Sequence, residues 1–347
     1  MTAGRRLLLH APNVHTGGGL VLLQQLLDAW PAQAPLIAWL DQRAKAALQL
    51  PAQAEVSWVS PSLASRLGAE VSLARRAKAD DRVLCFHGLP PLLCRAEAQL
   101  FLQNRNYLGQ VPLDEYGWRT RWRNRAEQWI SRLYRSSVSC YYVQSPTMAR
   151  ALQAWFGSEP APLRVLPFVP DLVVPASGEP LAKPFDFVFV ADGEPHKNHR
   201  RLVEAWQLLA GQGLKPRLAV TLSDRHAALR DWVMQQASVH GLAIHNLPQR
   251  PHHEMPQFYA DAHALIFPSL GESFGLPLVE AQVLGLPIVA SERDYVRDIC
   301  HPAETFDPES AVSIARAVRR FLQRPEALQA PLTAAEFLSR IDGGEPR

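Results

Sequence analysis

Short apolar runs alternate with longer amphipathic stretches along most of this chain, and that alternation admits little besides helices packed on mostly parallel sheets. In the first half, strands are expected at 7–11, 36–40, 56–59, 83–86, 99–103, 139–143 and 163–166, with a helix over 20–30 and helical patterns between most of the others. Near residue 170 the rhythm stops. Pro170, Pro175, Gly178, Pro180 and Pro184 fall within 168–184 and oppose regular structure there. The rhythm then restarts, with strands expected at 185–191, 218–222, 243–247, 263–267 and 287–290, and helices at 200–210, 227–239, 255–261 and 311–322. The expected fold is α/β: two Rossmann-like, doubly wound domains facing each other across a cleft. They divide at 1–170 and 171–325, and 326–347 is a tail that could cross back to the first domain.

At 347 residues the chain is long enough for each domain to bury its own core. Hydrophobic residues make up 47% and charged ones 20%, the balance of a globular protein. A formal charge of only +3 gives no reason to expect a nucleic-acid partner. Cys85, Cys94, Cys140 and Cys300 lack C-x-x-C spacing, which fits a reducing compartment and no zinc site. No stretch approaches the roughly 18 apolar residues of a spanning helix, and His10 and Asn13 cut short the run that follows Arg5 and Arg6. A cytoplasmic protein is expected, with membrane attachment only at the surface.

The most informative stretch is Phe267-Pro268-Ser269-Leu270-Gly271-Glu272-Ser273-Phe274-Gly275-Leu276-Pro277-Leu278-Val279-Glu280. An apolar run from His263 to Phe267 reads as a buried strand, Gly271 and Gly275 lie in the loop, and Pro277 opens a helix. Backbone N–H groups of Ser273, Phe274, Gly275 and Leu276 would then sit at the positive end of that helix, placed to hold phosphate oxygens. Two carboxylates frame the loop. Glu280, in the first helical turn, could accept both hydroxyls of a ribose or merely complement the helix dipole, and Glu272 could be a solvated loop charge.

Glu272 and Glu280, seven residues apart around a Phe-Gly-Leu-Pro core, resemble the signature of the retaining GT-B glycosyltransferases of family 4, also described as glycosyl transferases group 1, of the bacterial polysaccharide or lipopolysaccharide type. The resemblance is concentrated in 185–307 and diffuse in the first domain. It implies an enzyme that takes a sugar from a nucleotide-sugar donor, GDP- or UDP-linked, and transfers it with retention to a glycan or lipid-linked acceptor. It also implies no cofactor and no metal, and the sequence holds no D-x-D triplet. Under this resemblance Glu272 faces the sugar, Glu280 holds the ribose, and Gly17, Gly18 and Gly19, in the loop expected between the first strand and first helix, face the donor diphosphate. Such a glycine triplet also occurs in ordinary turns.

In relatives the loop after the first strand of the second domain carries a lysine, usually with an arginine five or six residues earlier. Lys197 matches the lysine, one of only five in the chain, while Ala191 and Asp192 stand where the arginine would. Where many relatives place a histidine or aspartate near the reacting sugar, this chain has Gln103 and Asn104. The expected catalytic set is therefore Glu272, Lys197 and Asn104, and the expected donor-binding set is Gly17, Gly18, Gly19, Lys197, Ser273, Phe274, Gly275, Leu276 and Glu280. His87 could serve catalysis or sit satisfied in its loop, and Leu247 to Arg250 is where relatives read the base. Ser145 matches a serine common in the family.

The segment 117–135 carries six arginines against one acid, with Trp118, Trp122, Trp129, Ile130, Leu133 and Tyr134 interleaved. It could lie in a bilayer interface, or pack on the core with a solvated basic face. A non-catalytic nucleotide-sugar-binding partner of a glycan assembly complex is the alternative to an enzyme, suggested by the missing arginine and by Gln103-Asn104. A dehydrogenase would need a G-x-G-x-x-G turn, which neither half contains.

Overall fold

A computed structural model describes residues 6–86, 88–109, 117–157, 161–169, 183–248 and 254–324. The first domain runs β1 (Leu7–Ala11), α1 (Gly17–Asp28), β2 (Leu36–Asp41), β3 (Ala54–Val59), α2 (Leu63–Arg76), β4 (Arg82–Cys85), β5 (Glu97–Phe101), α3 (Trp118–Leu133), β6 (Val138–Val143), α4 (Pro146–Phe156) and β7 (Leu163–Val165). The second runs β8 (Phe185–Phe189), α5 (His199–Gly211), β9 (Leu218–Val220), α6 (Ala227–His240), β10 (Ile244–Asn246), α7 (Met255–Ala260), β11 (Ala262–Phe267), α8 (Leu276–Val283), β12 (Ile288–Ser291), α9 (Asp294–Arg297), β13 (Glu304–Phe306) and α10 (Ala311–Phe321).

The strand orders are β3-β2-β1-β4-β5-β6-β7 and β10-β9-β8-β11-β12-β13, and neighbouring strands run parallel. In each sheet the order reverses beside the first strand, between β1 and β4 and between β8 and β11. Such a reversal opens a crevice at the carboxyl ends of the strands, because the connections on either side leave in opposite directions. Both strands flanking the second crevice are buried runs, Phe187, Val188 and Phe189 on β8 and Ala264 to Phe267 on β11. The expected fold class therefore holds. The boundary expected at 170/171, most of the linker and the tail at 326–347 fall outside the described residues.

Two local expectations need correction. Helix α1 starts at Gly17, not Leu20, so the glycine triplet is the helix's first turn rather than a loop before it. Helix α8 starts at Leu276, which puts Glu280 at its fifth residue, past the first turn.

Helix α3 faces the wrong way for a core helix. Its buried residues are Asn124 and Ser131, whereas Trp118, Trp122 and Trp129 are 63%, 66% and 64% exposed and Leu133 is exposed beside them. Steps of four, seven and four place these four residues along one side of the helix. Arg119 stacks on Trp118 and Arg125 on Trp122, so the outer face is indole and guanidinium together. On the inner side Gln128 Nε2 donates to Asn106 O at 2.7 Å, and Trp155 Nε1 donates to Ser131 Oγ at 3.3 Å.

Each domain also buries a histidine in neutral form. Burial pushes His10 on β1 down to about 4 and His199 at the start of α5 down to about 3. Both values lie below the ordinary 6.5, so this stability is complete above pH 6.5 and is lost as pH falls toward the folded-state values. The loss amounts to about 1.4 kcal/mol per pH unit for each ring. Neither ring nitrogen of His199 has a hydrogen-bond partner among the described residues, and the ring packs 4.6 Å from Phe189. Thermal melts from pH 7.5 to 5 should therefore show falling stability below pH 6.5, with a shallower fall in His199→Phe. An equal slope in the two proteins would contradict this account.

Candidate active site

The loops leaving β8 and β11 meet over the second crevice. Leu270 N donates to His196 O at 2.8 Å, and Asn198 Nδ2 donates to Pro268 O at 3.1 Å and Pro308 O at 2.8 Å. Asn198 holds a left-handed φ of 66°, a conformation that asparagine tolerates better than most residues. The stitching brings Lys197 Nζ to 2.7 Å from Glu272 Oε1, with His196 Nε2 4.0 Å from Oε2.

Both members of the pair are largely sequestered, and each keeps the other charged. Burial raises the Glu272 carboxyl, but Lys197 and His196 more than offset it, leaving its pKa below the ordinary value. Burial lowers the Lys197 ammonium, and Glu272 with Asp192 more than offsets that, leaving it raised. At neutral pH the site thus holds a carboxylate and an ammonium. An ionised Glu272 can stabilise positive charge but has no proton to donate.

Beyond Glu272 the chain enters α8 through Gly275, whose φ of 80° suits glycine, and no side chain caps the helix. Glycine is required for a second reason, because a Cβ would press on Leu278. Glu280 is buried and accepts a hydrogen bond from Tyr259 Oη at 2.5 Å. Phe274 is buried as well. Ser273 is held from the first domain: its Oγ accepts from Arg105 N and its carbonyl accepts from Ser145 Oγ, both at 3.2 Å.

The first domain closes the other side. A Cβ on Gly18 would come within 2.9 Å of Leu276 Cδ1, so the first turn of α1 packs directly on the first turn of α8. Arg225 Nη1 donates to Thr16 Oγ1 at 3.2 Å, bridging the domains just before Gly17. Neither α1 nor α8 has an acidic residue in its first turn. Two positive helix ends therefore converge, an arrangement suited to an anion.

Most of the expected donor-binding residues are thus together: Lys197, the stretch from Glu272 to Leu276, and the triplet Gly17, Gly18 and Gly19. Asn104 is different. It is exposed and its Oδ1 accepts from Asn106 N at 2.9 Å, capping the 3-10 turn Arg105–Leu108, which leaves its amide nitrogen and the second lone pair of Oδ1 to meet a ligand. Gln103 Nε2 donates to Phe86 O at 3.1 Å and supports β4. His87, Gln249 and Arg250 lie outside the described residues. The sequence reading missed Arg105, whose Nη1 donates to Glu272 O at 3.3 Å. Arginine is abundant in this chain, so only its place at a strand's carboxyl end marks it out.

Residues 176–336 match the family described as glycosyl transferases group 1. That match takes in most of the second domain. O-antigen chain mannosyltransferase B of Escherichia coli is 30% identical over 139 residues, which is 39% of this chain and 36% of that relative's length. The chain therefore spans about a third of that curated relative. Whole-chain likeness comes from solved structures and concerns the fold. Anabaena HepE, in complex with UDP and glucose, superposes with a TM-score of 0.71 at 14% identity, covering 92% of this chain and 90% of that one. Sucrose-phosphate synthase from Thermosynechococcus elongatus gives 0.71 at 15% identity, covering 93% and 90%. The fold is GT-B.

The Lys197–Glu272 pair can be tested through stability. Lys197→Ala strands a buried carboxylate and should cost about 3 kcal/mol, whereas Glu272→Gln in the same chain should recover a good part of that. Urea unfolding of the two single variants and the double variant gives the coupling. Additive losses would show that the two charges do not support each other.

Proposed function

We propose that the protein is a hexosyltransferase-type glycosyltransferase, moving a sugar from a GDP- or UDP-linked donor to a glycan or lipid-linked acceptor, with retention of configuration and without a metal, in cell-surface polysaccharide synthesis. The observation that carries this reading is the buried Lys197–Glu272 pair between two converging helix N-termini, at the strand-order reversal of the domain that resembles glycosyl transferases group 1. O-antigen mannosyltransferase among the relatives supports the process, and the UDP complex of HepE supports a nucleotide-linked donor.

In this reading the donor diphosphate lies between Gly17, Gly18 and Gly19 on one side and the backbone of Ser273 to Leu276 on the other. As the bond from the anomeric carbon to the phosphate oxygen breaks, negative charge grows on that oxygen, and Lys197 with the two helix ends opposes it. The sugar acquires oxocarbenium-like positive charge, which the ionised Glu272 stabilises. Glu280 holds the ribose hydroxyls with Tyr259 orienting its carboxylate. Asn104 meets the acceptor side through its amide nitrogen.

These roles fail differently. Lys197→Ala should lower kcat by about 100- to 1000-fold as well as weakening donor binding, because its contact strengthens as the bond breaks. Glu280→Gln keeps an oxygen for Tyr259 and sits away from the reacting bond, so KM should rise while kcat is spared. Steady-state kinetics with thermal melts as the folding check decide it. Near-normal kcat/KM in a folded Lys197→Ala protein would remove the diphosphate role. A protein that binds nucleotide sugar yet never releases nucleotide with any acceptor would point to the non-catalytic partner instead.

We further propose that the protein acts in the cytoplasm, peripheral at the inner membrane face, with α3 in contact with an anionic bilayer. No helix among the described residues is long and apolar enough to cross a membrane. Three exposed indoles in a row on an arginine-rich helix suit an interface, where the ring is half-immersed and each basic residue near the surface adds about 1 kcal/mol. Flotation with phosphatidylglycerol vesicles at low salt should lift the protein, and Trp122→Ala with Trp129→Ala should reduce the lifted fraction severalfold. An unmodified protein that stays wholly in the soluble fraction would sink the idea.

A further inference from the structure

Strand β11 ends at Phe267, whose ladder partner on β12 is Ala290. From there to α8 the backbone has neither strand nor helix to satisfy it, and Ser269 is fully buried, so its polar groups need other partners. The second domain supplies them in sequence. Ser291 Oγ donates to Phe267 O at 3.2 Å, Asn198 Nδ2 to Pro268 O at 3.1 Å and Tyr295 Oη to Ser269 O at 2.8 Å, while Leu270 N donates to His196 O at 2.8 Å. Tyr295, on α9, is itself buried, and its ring meets Phe267 edge to face. Burial, and then the charge of Glu272, raise its pKa well above the ordinary value against opposition from Ser291 and Arg105, so the phenol keeps its proton and donates.

We infer that Tyr295 is a positioning residue for Glu272: by holding the carbonyl of Ser269, three residues earlier, it fixes the path of the loop that sets the carboxylate against Lys197. Its catalytic consequence rests on the nucleotide-sugar reading above. Only Leu270 and Gly271 separate the fastened carbonyl from Glu272, and so short a connection passes on a displacement of its anchor. Deprived of the phenol, Ser269 O is a buried acceptor without that donor, a cost the loop relieves by shifting. The Lys197–Glu272 contact, at 2.7 Å, has little tolerance for a shift. The N–H groups expected to hold the diphosphate are anchored differently, because α8 is seated in the core through Leu278 and Ala281. Removing the phenol hydroxyl should therefore disturb the charge that faces the sugar more than the groups that grip the diphosphate.

Tyr295→Phe tests this, since it keeps the ring and removes only the donor. Its companion is Ile244→Val, a comparable loss of stability in a buried side chain on β10, three strands from β11 in the sheet. Urea unfolding with Lys197→Ala, Glu272→Gln and both, in each background, gives the coupling of the ion pair. That coupling should fall to about half or less in Tyr295→Phe and stay unchanged in Ile244→Val. Nucleotide release from UDP-glucose and GDP-mannose, with water as acceptor, should show kcat lowered about tenfold in Tyr295→Phe with donor KM within about twofold, and neither altered in Ile244→Val. An intact coupling in Tyr295→Phe overturns the inference and leaves the nucleotide-sugar reading standing. Weakened coupling with normal kcat confines the phenol to the fold and overturns its catalytic consequence. An unmodified protein that binds neither UDP nor GDP overturns the nucleotide-sugar reading, and the coupling then decides by itself whether Tyr295 places Glu272.

Discussion

The contact on which the site depends is the ion pair between Lys197 and Glu272, joining the loops that leave the two strands at the strand-order reversal. Neither charge would persist in that position alone, because sequestering a single ion costs several kcal/mol that only a well-placed partner offsets. The pair is backed by backbone stitching from Leu270 to His196 and by the Asn198 side chain, which fastens to Pro268 and Pro308. A shift in either loop would separate the charges, so the site is held by the same geometry that keeps it ionised. This makes an electrostatic role for Glu272 more natural than proton transfer.

The loop that bears Glu272 is also where the domains touch. Arg105 and Ser145 hold Ser273, and Gly18 packs on Leu276. At the far side Thr147 N donates to Asp298 Oδ2 at 2.6 Å, so a carboxylate from the second domain joins Ser145 in satisfying the N-terminus of α4. Ser145 does two jobs at once, capping Met148 and reaching Ser273. Apart from Leu276 against Gly18, these contacts among the described residues are polar and directional, unlike those of a continuous core. The candidate site and the contact between the domains consequently share residues.

The sequence made the second domain legible because its signals are local. A buried run, a glycine loop and a proline at a helix start lie within fourteen residues of one another, and a rare lysine stands out in an arginine-rich chain. Long-range geometry was invisible. Arg105 meets Glu272 across 167 residues and is one basic residue among 36. Tyr259 could be placed on a helix but not against Glu280, 21 residues on. The glycine triplet misled about where α1 begins, since glycine opposes helix on propensity alone and tertiary packing on Leu276 settled the matter. For 117–135 the sequence left two outcomes open, and the structure places the tryptophans outside because Asn124, Ser131 and Gln128 take the inner face.

That inner face ties the surface helix to the cleft. Gln128 of α3 bonds the carbonyl of Asn106, and Arg105, the preceding residue, carries the guanidinium that rests on Gly271. The turn between them is short, capped by Asn104 and anchored by the buried Tyr107 and Leu108. A packed turn of this kind moves as a unit, since its side chains have no room to absorb a displacement. Trp155 adds a second tie, donating to Ser131 while Arg132 stacks on its ring 3.6 Å away. Helix α3 is thus joined, through Gln128 and Asn106, to the turn that brings Arg105 to the β11–α8 loop.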